Sequence, residues 1–127
     1  MPAKSEKPVH DPAIWDELRA MTAGREEVLP GKCFGYPALY YVDPDARPAQ
    51  GKRVKRKLFA TAYGRGAALK LPQELIEDLL SEPGFEPFTP YHMPPMKGWV
   101  LYVPDTPAIL REQEELLETA LALAAGG

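Results

Sequence analysis

The stretch Gly51–Lys57, with the sequence GKRVKRK, holds five cationic side chains in seven residues. Lysine and arginine at this density are typical of phosphate contacts in nucleic-acid interfaces, and such contacts weaken steeply with salt. Residues 47–70 hold eight cations and no acidic residue, although the whole chain carries a net charge of −3. One hypothesis is therefore a nucleic-acid interface, whose candidate contacts are Arg47, Lys52, Arg53, Lys55, Arg56, Lys57 and Arg65.

Two other interpretations of the basic segment stay open. The charges can belong to a solvated hairpin turn, where they keep an edge strand from pairing with other sheets. They can also dock on an acidic protein surface, such as the glutamate-rich C-terminal helix of a second copy. Basic runs are weak motifs, and the segments on both sides are acidic. The partner is therefore nucleic acid, another protein or none.

Aromatic side chains form a second group of candidates. They can stack on unpaired bases, as the sheet platforms of single-strand binders do. In sheets, however, aromatic residues more commonly form the core and cross-strand pairs. Alternation along residues 58–63 predicts that the even-numbered side chains face one side of the sheet and the odd-numbered ones the other. We expect a core role for Phe34, Tyr36, Tyr40, Tyr41, Phe59 and Tyr63.

The third candidate is the loop of residues 88–99, with the sequence FTPYHMPPMKGW. Loops on a rigid scaffold commonly carry function, so this segment can line a small-molecule cleft or contact a partner. The alternative is a proline-stiffened crossover whose methionine and tryptophan side chains cover the sheet edge. The residues that can line such a cleft are Tyr91, His92, Met93, Met96, Lys97 and Trp99. Of these, Tyr91, His92, Lys97 and Trp99 are the candidate ligand or partner residues.

Catalysis is not expected. Cys33 and His92 are the one pair suited to nucleophilic chemistry, and nothing in the sequence brings them together. One cysteine and two histidines make a zinc site improbable, so we expect neither a metal nor a cofactor. No apolar run approaches the roughly 18 residues of a membrane span, and the first ten residues lack the apolar core of a signal peptide. We therefore expect a cytoplasmic protein without a membrane partner.

The elements that must position these candidates follow from hydrophobic spacing. Asp11 and Pro12 predict a helix start, and residues 33–71 predict three strands joined by turns. A helix over residues 73–80, a strand over residues 98–103 and a last helix from Pro107 to about Ala124 complete the chain. The prediction is an α+β fold: an antiparallel meander sheet of about four to five strands, flanked by N-terminal, middle and C-terminal helices. We expect a flexible N-terminus over residues 1–10 and a single domain over residues 11–127.

Several of these segments resemble the TfoX N-terminal-domain family and its YjbR/MmcQ relatives. They are FGYPALYY, LFA, ALKLP, PF and MKGWVLYVP, followed by a leucine- and alanine-rich helix, and together they cover about residues 33–124. The resemblance implies a small α+β sheet with flanking helices. It also implies a non-enzymatic binding protein, since relatives in the YjbR-like branch are described as DNA-binding. The charge of residues 47–70 adds the hypothesis of weak, sequence-nonspecific nucleic-acid binding through the basic hairpin loop. The alternative is a protein–protein interaction module or homodimer. The long loop of residues 43–57 departs from the family pattern.

Overall fold

The first helix begins at the cap that the sequence predicts. The computed structural model describes residues 8–46 and 55–126. Helix α1 spans Pro12–Met21, and the side chain of Asp11 accepts a hydrogen bond from the backbone N–H of Ala13 at 2.9 Å. Proline is suited to the first helical position because its missing N–H would have no partner there.

One antiparallel sheet of six strands forms the centre of the described structure, in the order β1-β2-β3-β4-β6-β5. The first four strands form a meander, β6 pairs with β4, and β5 pairs with β6 at the edge. The strands are β1 Val28–Cys33, β2 Tyr36–Val42, β3 Arg56–Tyr63, β4 Gly66–Lys70, β5 Phe85–Pro87 and β6 Trp99–Tyr102.

This architecture confirms the predicted α+β class, with six strands instead of four to five. One additional strand is β1, which precedes the predicted first strand at Cys33. The other is β5, which lies in a segment whose prolines predict irregular structure. Pro87 is tolerated because β5 is an edge strand. No strand pairs with its outer side, so a missing backbone N–H there costs no hydrogen bond between strands.

All the helices contribute to one core on one face of the sheet. Helix α2 spans Gln73–Leu79, and the predicted last helix divides into a 3₁₀ helix, Pro107–Gln113, and helix α3, Glu114–Ala124. Each of them buries leucine or isoleucine side chains against the sheet, which gives the sheet one helix-covered face. The largest side chains buried in this core are Ile14, Leu18, Leu39, Phe59, Leu69, Leu71, Val100 and Leu110.

A β-bulge in β3 changes the predicted alternation. Leu39 pairs with Ala60 and Tyr40 with Leu58, so Phe59 has no partner in β2. Phe59 and Ala60 therefore both join the helix-covered core, and Leu58 lies with the cluster on the other face. The alternation prediction is correct for residues 60–63 and wrong for Leu58 and Phe59. A bulge places two consecutive residues opposite one partner residue. Here it reverses the faces predicted for Leu58 and Phe59.

An ion pair joins α3 to the turn before β1. The guanidinium of Arg25 donates a hydrogen bond to Glu118 at 2.5 Å and lies 3.6 Å from Glu27. The hydrogen bond to Glu118 is the main cause of the raised pKa of Arg25. No helix in the described residues is long and apolar enough to cross a bilayer.

Gly66 offers a test of the β4–β6 pairing. A Cβ atom on Gly66 would lie 2.3 Å from the backbone oxygen of Tyr102, whereas a Cβ atom on Gly24 would meet nothing within 4 Å. We expect Gly66→Ala to lower the free energy of unfolding by about 3 kcal/mol, because the clash involves backbone. Gly24→Ala, at φ +78°, should cost only about 1–2 kcal/mol. Urea unfolding of both variants measures the two losses of stability. Equal losses would contradict the close approach of Gly66 to the backbone of Tyr102.

Candidate functional site

The second face of the sheet is covered by a loop and by aromatic rings. Tyr36 and Tyr63 are stacked at a tilt with centroids 4.7 Å apart. Tyr63 meets Phe88 edge to face at 5.2 Å, and Phe88 meets Trp99 at 6.0 Å. These distances fall in the range of favourable aromatic pairs, so the four rings form a continuous and mutually supported surface. We call it the aromatic row.

A cleft of about 390 Å³ lies over the aromatic row. One wall consists of sheet residues and the tip of the β1–β2 hairpin, and the opposite wall is the loop of residues 88–98. The sheet and hairpin residues that line the cleft are Cys33, Phe34, Tyr36, Leu58, Thr61, Tyr63 and Trp99. The loop residues that line it are Phe88, Pro90, Tyr91, Met93 and Met96.

Backbone hydrogen bonds fix the loop wall. The N–H of Met96 donates to the carbonyl of Phe88, and that of Met93 to the carbonyl of Pro90, both at 2.9 Å. Gly98 accepts from the N–H of Leu71 at 3.0 Å, and its own N–H donates to the side chain of Gln73 at 3.1 Å. The loop is therefore tied to itself and to the start of α2, and it forms a wall with a defined position.

The hairpin tip carries strained backbone beside the cleft. Phe34 has φ +54° and Gly35 φ +85°, the signs of a type I′ turn, which normally takes asparagine or glycine at the first position. A bulky residue with positive φ is unusual and costs about 1–2 kcal/mol. Phe34 is nevertheless 59% exposed at the rim of the cleft, so the core role predicted for it is wrong. Strained, exposed apolar residues of this kind are concentrated at functional sites.

The hydroxyl groups around the cleft have protein partners. Tyr36 donates to the carbonyl of Pro8 at 2.6 Å, and Thr61 donates to the carbonyl of Pro37 at 2.9 Å. The hydroxyl of Tyr63 is hydrogen-bonded to Tyr36 and to the backbone of Tyr91. Among the described residues no buried polar side-chain atom lacks a hydrogen bond. The interior of the cleft therefore presents mainly apolar and aromatic surface to a ligand.

The charged and nucleophilic candidates of the sequence do not form a catalytic group. No acidic or basic side chain is among the described residues that line the cleft, and neither His92 nor Lys97 is one of them. Burial raises the pKa of the Cys33 thiol, which disfavours the thiolate. Residues 8–46 and 55–126 contain no cluster of three histidine, cysteine or acidic residues that could hold a metal ion. The predicted loop residues that the structure brings together at the cleft are Tyr91, Met93, Met96 and Trp99.

The basic candidates are divided between the two ends of the sheet. Arg47, Lys52 and Arg53 lie outside the described residues. Lys55, Arg56 and Lys57 are exposed at the start of β3. Arg65 lies in the turn after the far end of β3, about 23 Å away at ~3.3 Å per residue. A single compact patch therefore cannot contain Arg65 together with Lys55–Lys57.

One cation near the start of β3 contacts an aromatic ring. The guanidinium carbon of Arg56 lies 4.4 Å from the centroid of the Tyr40 ring, within the range of a cation–π contact. The hydroxyl of Tyr40 in turn donates to the carbonyl of Lys32 at 2.5 Å. Arg56 is thus held against the sheet.

A second, more open depression adjoins the cleft at this end of the sheet. It has a volume of about 540 Å³ and includes Lys57 and Lys70. Leu58, Met96 and Trp99 line both the depression and the cleft, so the two share a wall. The last turn of α3 closes the other side.

Sequence reasoning missed several residues of this site. Strand alternation places Leu58 on the wrong side, because the bulge is not visible as a pattern. Phe88 begins the candidate loop and lines the cleft, but the sequence does not mark it as a ligand contact. Lys70 belongs to the basic segment, and strand alternation from the buried Leu69 places it on the face of the cleft. That alternation was the signal that could have identified it.

Three tyrosines provide a pH test of the buried site. Burial is the main cause of the raised pKa values of Tyr36, Tyr40 and Tyr63, whose usual value is about 10. A raised pKa means that the folded state holds the proton more tightly, so this contribution to stability is complete below pH ~10 and is lost as pH rises through the folded values. We expect the phenolate absorbance of the folded protein to show a group of tyrosines titrating above pH ~10.

The variants Tyr36→Phe and Tyr63→Phe should each remove one of these late-titrating groups. Their free energy of unfolding should also fall less steeply above pH ~10 than that of the wild type. The reason is that each variant lacks one tyrosine whose pKa is higher in the folded state than in the unfolded state. A titration in which all six tyrosines ionise together would contradict the burial of these hydroxyls.

Comparison with a solved structure supports the fold. No family model matches the sequence, and no curated protein matches it. A crystal structure of a protein from Pseudomonas syringae, determined by a structural genomics consortium, is similar with a TM-score of 0.51 and 18% sequence identity. The match covers 86% of this chain and 97% of that chain. The α+β architecture described above is therefore one that an experimentally solved protein also adopts.

Proposed function

We propose that this chain is a non-enzymatic binding protein that takes up a small, largely apolar molecule in the cleft. The observation that carries this proposal is the cleft itself: twelve of the described residues line it, none of these is charged, and it lies over a row of four packed aromatic rings. Concave sites with mostly apolar walls and few polar groups are typical of small-molecule binding in proteins. Burial of ligand surface against these rings would supply most of the affinity.

The volume of the cleft limits the size of the ligand. Small-molecule sites commonly have about 300–1,000 Å³, and this cleft of about 390 Å³ lies near the lower limit. A molecule of one to three rings, or a short branched chain, is of the right size. A long acyl chain or a large cofactor would extend far beyond the walls.

The rigidity of the walls favours binding as well. The loop wall is held by backbone hydrogen bonds, and the opposite wall is part of the sheet. A preformed site avoids the entropic cost of ordering loops when the ligand binds, which leaves more of the contact energy as affinity. Met93 and Met96 provide the adaptable part, because a thioether side chain can adjust to ligands of different shape.

Among the described residues that line the cleft there is no nucleophile–base pair, which supports a binding role over catalysis. Burial raises the pKa of the Cys33 thiol, and His92 is not part of the lining. A general base must lie within about 2.6–3.2 Å of the proton that it removes, and no histidine or carboxylate is among these lining residues.

Binding of the uncharged probe N-phenylnaphthylamine tests the proposal. In a Trp15→Phe background, Trp99 is the one remaining tryptophan and lies in the cleft wall, so it can transfer excitation energy to a bound probe. We expect saturable quenching of Trp99 with a matching rise in probe emission. We expect Met93→Glu to weaken binding about tenfold, because a carboxylate replaces an apolar side chain at the cleft wall. A tenfold loss of affinity corresponds to roughly 1.4 kcal/mol.

Leu29→Glu is the matched control. Leu29 is 43% exposed and Met93 is 37% exposed, and both substitutions change the net charge equally, but Leu29 does not line the cleft. The control variant should bind the probe with wild-type affinity. Absence of quenching in the parent protein, or equal weakening in both variants, would refute the cleft as the binding site.

The cations at the start of β3 favour a second candidate function, which is weak, sequence-nonspecific nucleic-acid binding. Lys55, Arg56 and Lys57 are exposed, and Lys70 lies at the same end of the sheet. Phosphate contacts from such residues position a nucleic acid without reading its sequence. The resemblance to the TfoX N-terminal and YjbR-like family supports the same role. Arg65 would not take part in a short contact, because it lies at the other end of β3.

Fluorescence anisotropy with double-stranded DNA, single-stranded DNA and RNA tests this second candidate. A variant with Lys55, Arg56 and Lys57 changed to alanine should lose most of the binding, and binding by the wild type should fall steeply with salt because condensed counterions are released. Arg65→Ala is the control and should bind normally. If the wild type binds none of the three at low salt and instead shows a salt-sensitive dimer on sizing chromatography, the protein–protein alternative is favoured.

A further inference from the structure

The shared wall between the cleft and the depression carries an inference about the ligand. Leu58, Met96 and Trp99 line both spaces, so the cleft and the depression lie next to each other. The walls differ in charge: none of the cleft-lining residues in the described part of the chain is charged, while the depression includes Lys57 and Lys70. None of the described residues lining either space is acidic.

We propose that the ligand is an amphipathic anion, with an aromatic or compact apolar body in the cleft and an anionic group between Lys57 and Lys70. This inference rests on the proposed function of the cleft and adds the chemical class of the ligand. A carboxylate, a sulfonate or a phosphate monoester would satisfy the cations, since lysine binds each of them as a point charge. An uncharged molecule of the same shape would use the cleft alone.

The positions of the two lysines follow from the strand register. Lys70 is the last residue of β4, on the face of the cleft, and pairs with Trp99 of β6. Lys57 precedes Leu58 near the start of β3 and pairs with Tyr41, which packs against the helix-covered core. Lys57 is therefore on the opposite face from Leu58, and it borders the depression at the end of the sheet, beside the last turn of α3. The bulge at Phe59 turns Leu58 toward the cleft face, so Leu58 lines both the cleft and the depression.

The two lysines have a competing structural explanation. Helix α3 ends beside them, and its last turn contains no basic residue of its own. The carbonyl end of a helix carries a partial negative charge, which nearby cations stabilise by about 0.3–1 kcal/mol. A purely structural role predicts that neutral substitutes at these positions lower stability and leave ligand binding unchanged. The two explanations therefore differ in a measurable way.

A matched pair of probes separates charge recognition from apolar binding. N-phenylnaphthylamine and anilinonaphthalene sulfonate share the same ring system, and the second adds one sulfonate. In the Trp15→Phe background we expect the anionic probe to bind more tightly than the uncharged one at low salt. Because salt screens the exposed charges, this preference should shrink as the ionic strength rises.

Variants then test the two lysines. The double variant Lys57→Gln/Lys70→Gln should reduce affinity for the sulfonate probe about tenfold and leave affinity for N-phenylnaphthylamine unchanged. The control Arg19→Gln/Lys32→Gln makes the same change in net charge at two exposed cationic residues that line neither space, so it should keep the wild-type preference. Thermal unfolding of both variants measures the structural contribution separately.

The outcomes distinguish this inference from the proposed function. If the uncharged probe does not bind at all, the function proposed for the cleft fails, and the inference fails with it. If the uncharged probe binds in the cleft but both double variants keep the full preference for the sulfonate, the inference alone is overturned. If Lys57→Gln/Lys70→Gln lowers the melting temperature but keeps the preference for the sulfonate probe, the two lysines stabilise the C-terminal end of α3 and do not recognise the ligand.

Discussion

The unequal covering of the two faces of the sheet is the constraint on which the site depends. The central strands bury side chains on both faces, yet every helix in the described residues packs on the same face. The other face is left with a single loop of residues 88–98 and with aromatic rings that bury one another. A loop follows the surface of a sheet less closely than a helix with its regular apolar stripe, and the space left between them is the cleft.

Side-chain chemistry on the loop-covered face is consistent with this constraint. A fully apolar aliphatic layer open to solvent would be a liability for aggregation, whereas tyrosine and tryptophan bury an apolar body and direct a polar group to a partner. Tyr36 and Tyr63 do so by hydrogen bonding to each other, to Pro8 and to the backbone of Tyr91. These bonds link the N-terminal segment, the sheet and the loop wall. The stability of the cleft and its shape therefore depend on the same hydrogen bonds.

Local signals predicted the fold well and the site only in part. The cap at Asp11, the turn at Gly64 and the leucine spacing of the helices are encoded within a few residues, and each predicted element is present. The bulge at Phe59 is not encoded in this way, because it depends on the pairing of β3 with β2 across the long loop. Predicting the cleft required knowing which face the helices leave uncovered. That property belongs to the tertiary packing and not to any single segment.

The basic segment shows how continuity in sequence differs from continuity in space. Residues 47–70 form one uncompensated block of charge, but a β-hairpin places the two ends of its first strand far apart. Arg65 is thereby separated from Lys57, while Lys70, thirteen residues further along the chain, returns to the same depression. The antiparallel pairing of β3 with β4 thus selects which cations can act together. The two cations that it selects, Lys57 and Lys70, line the depression next to the apolar cleft.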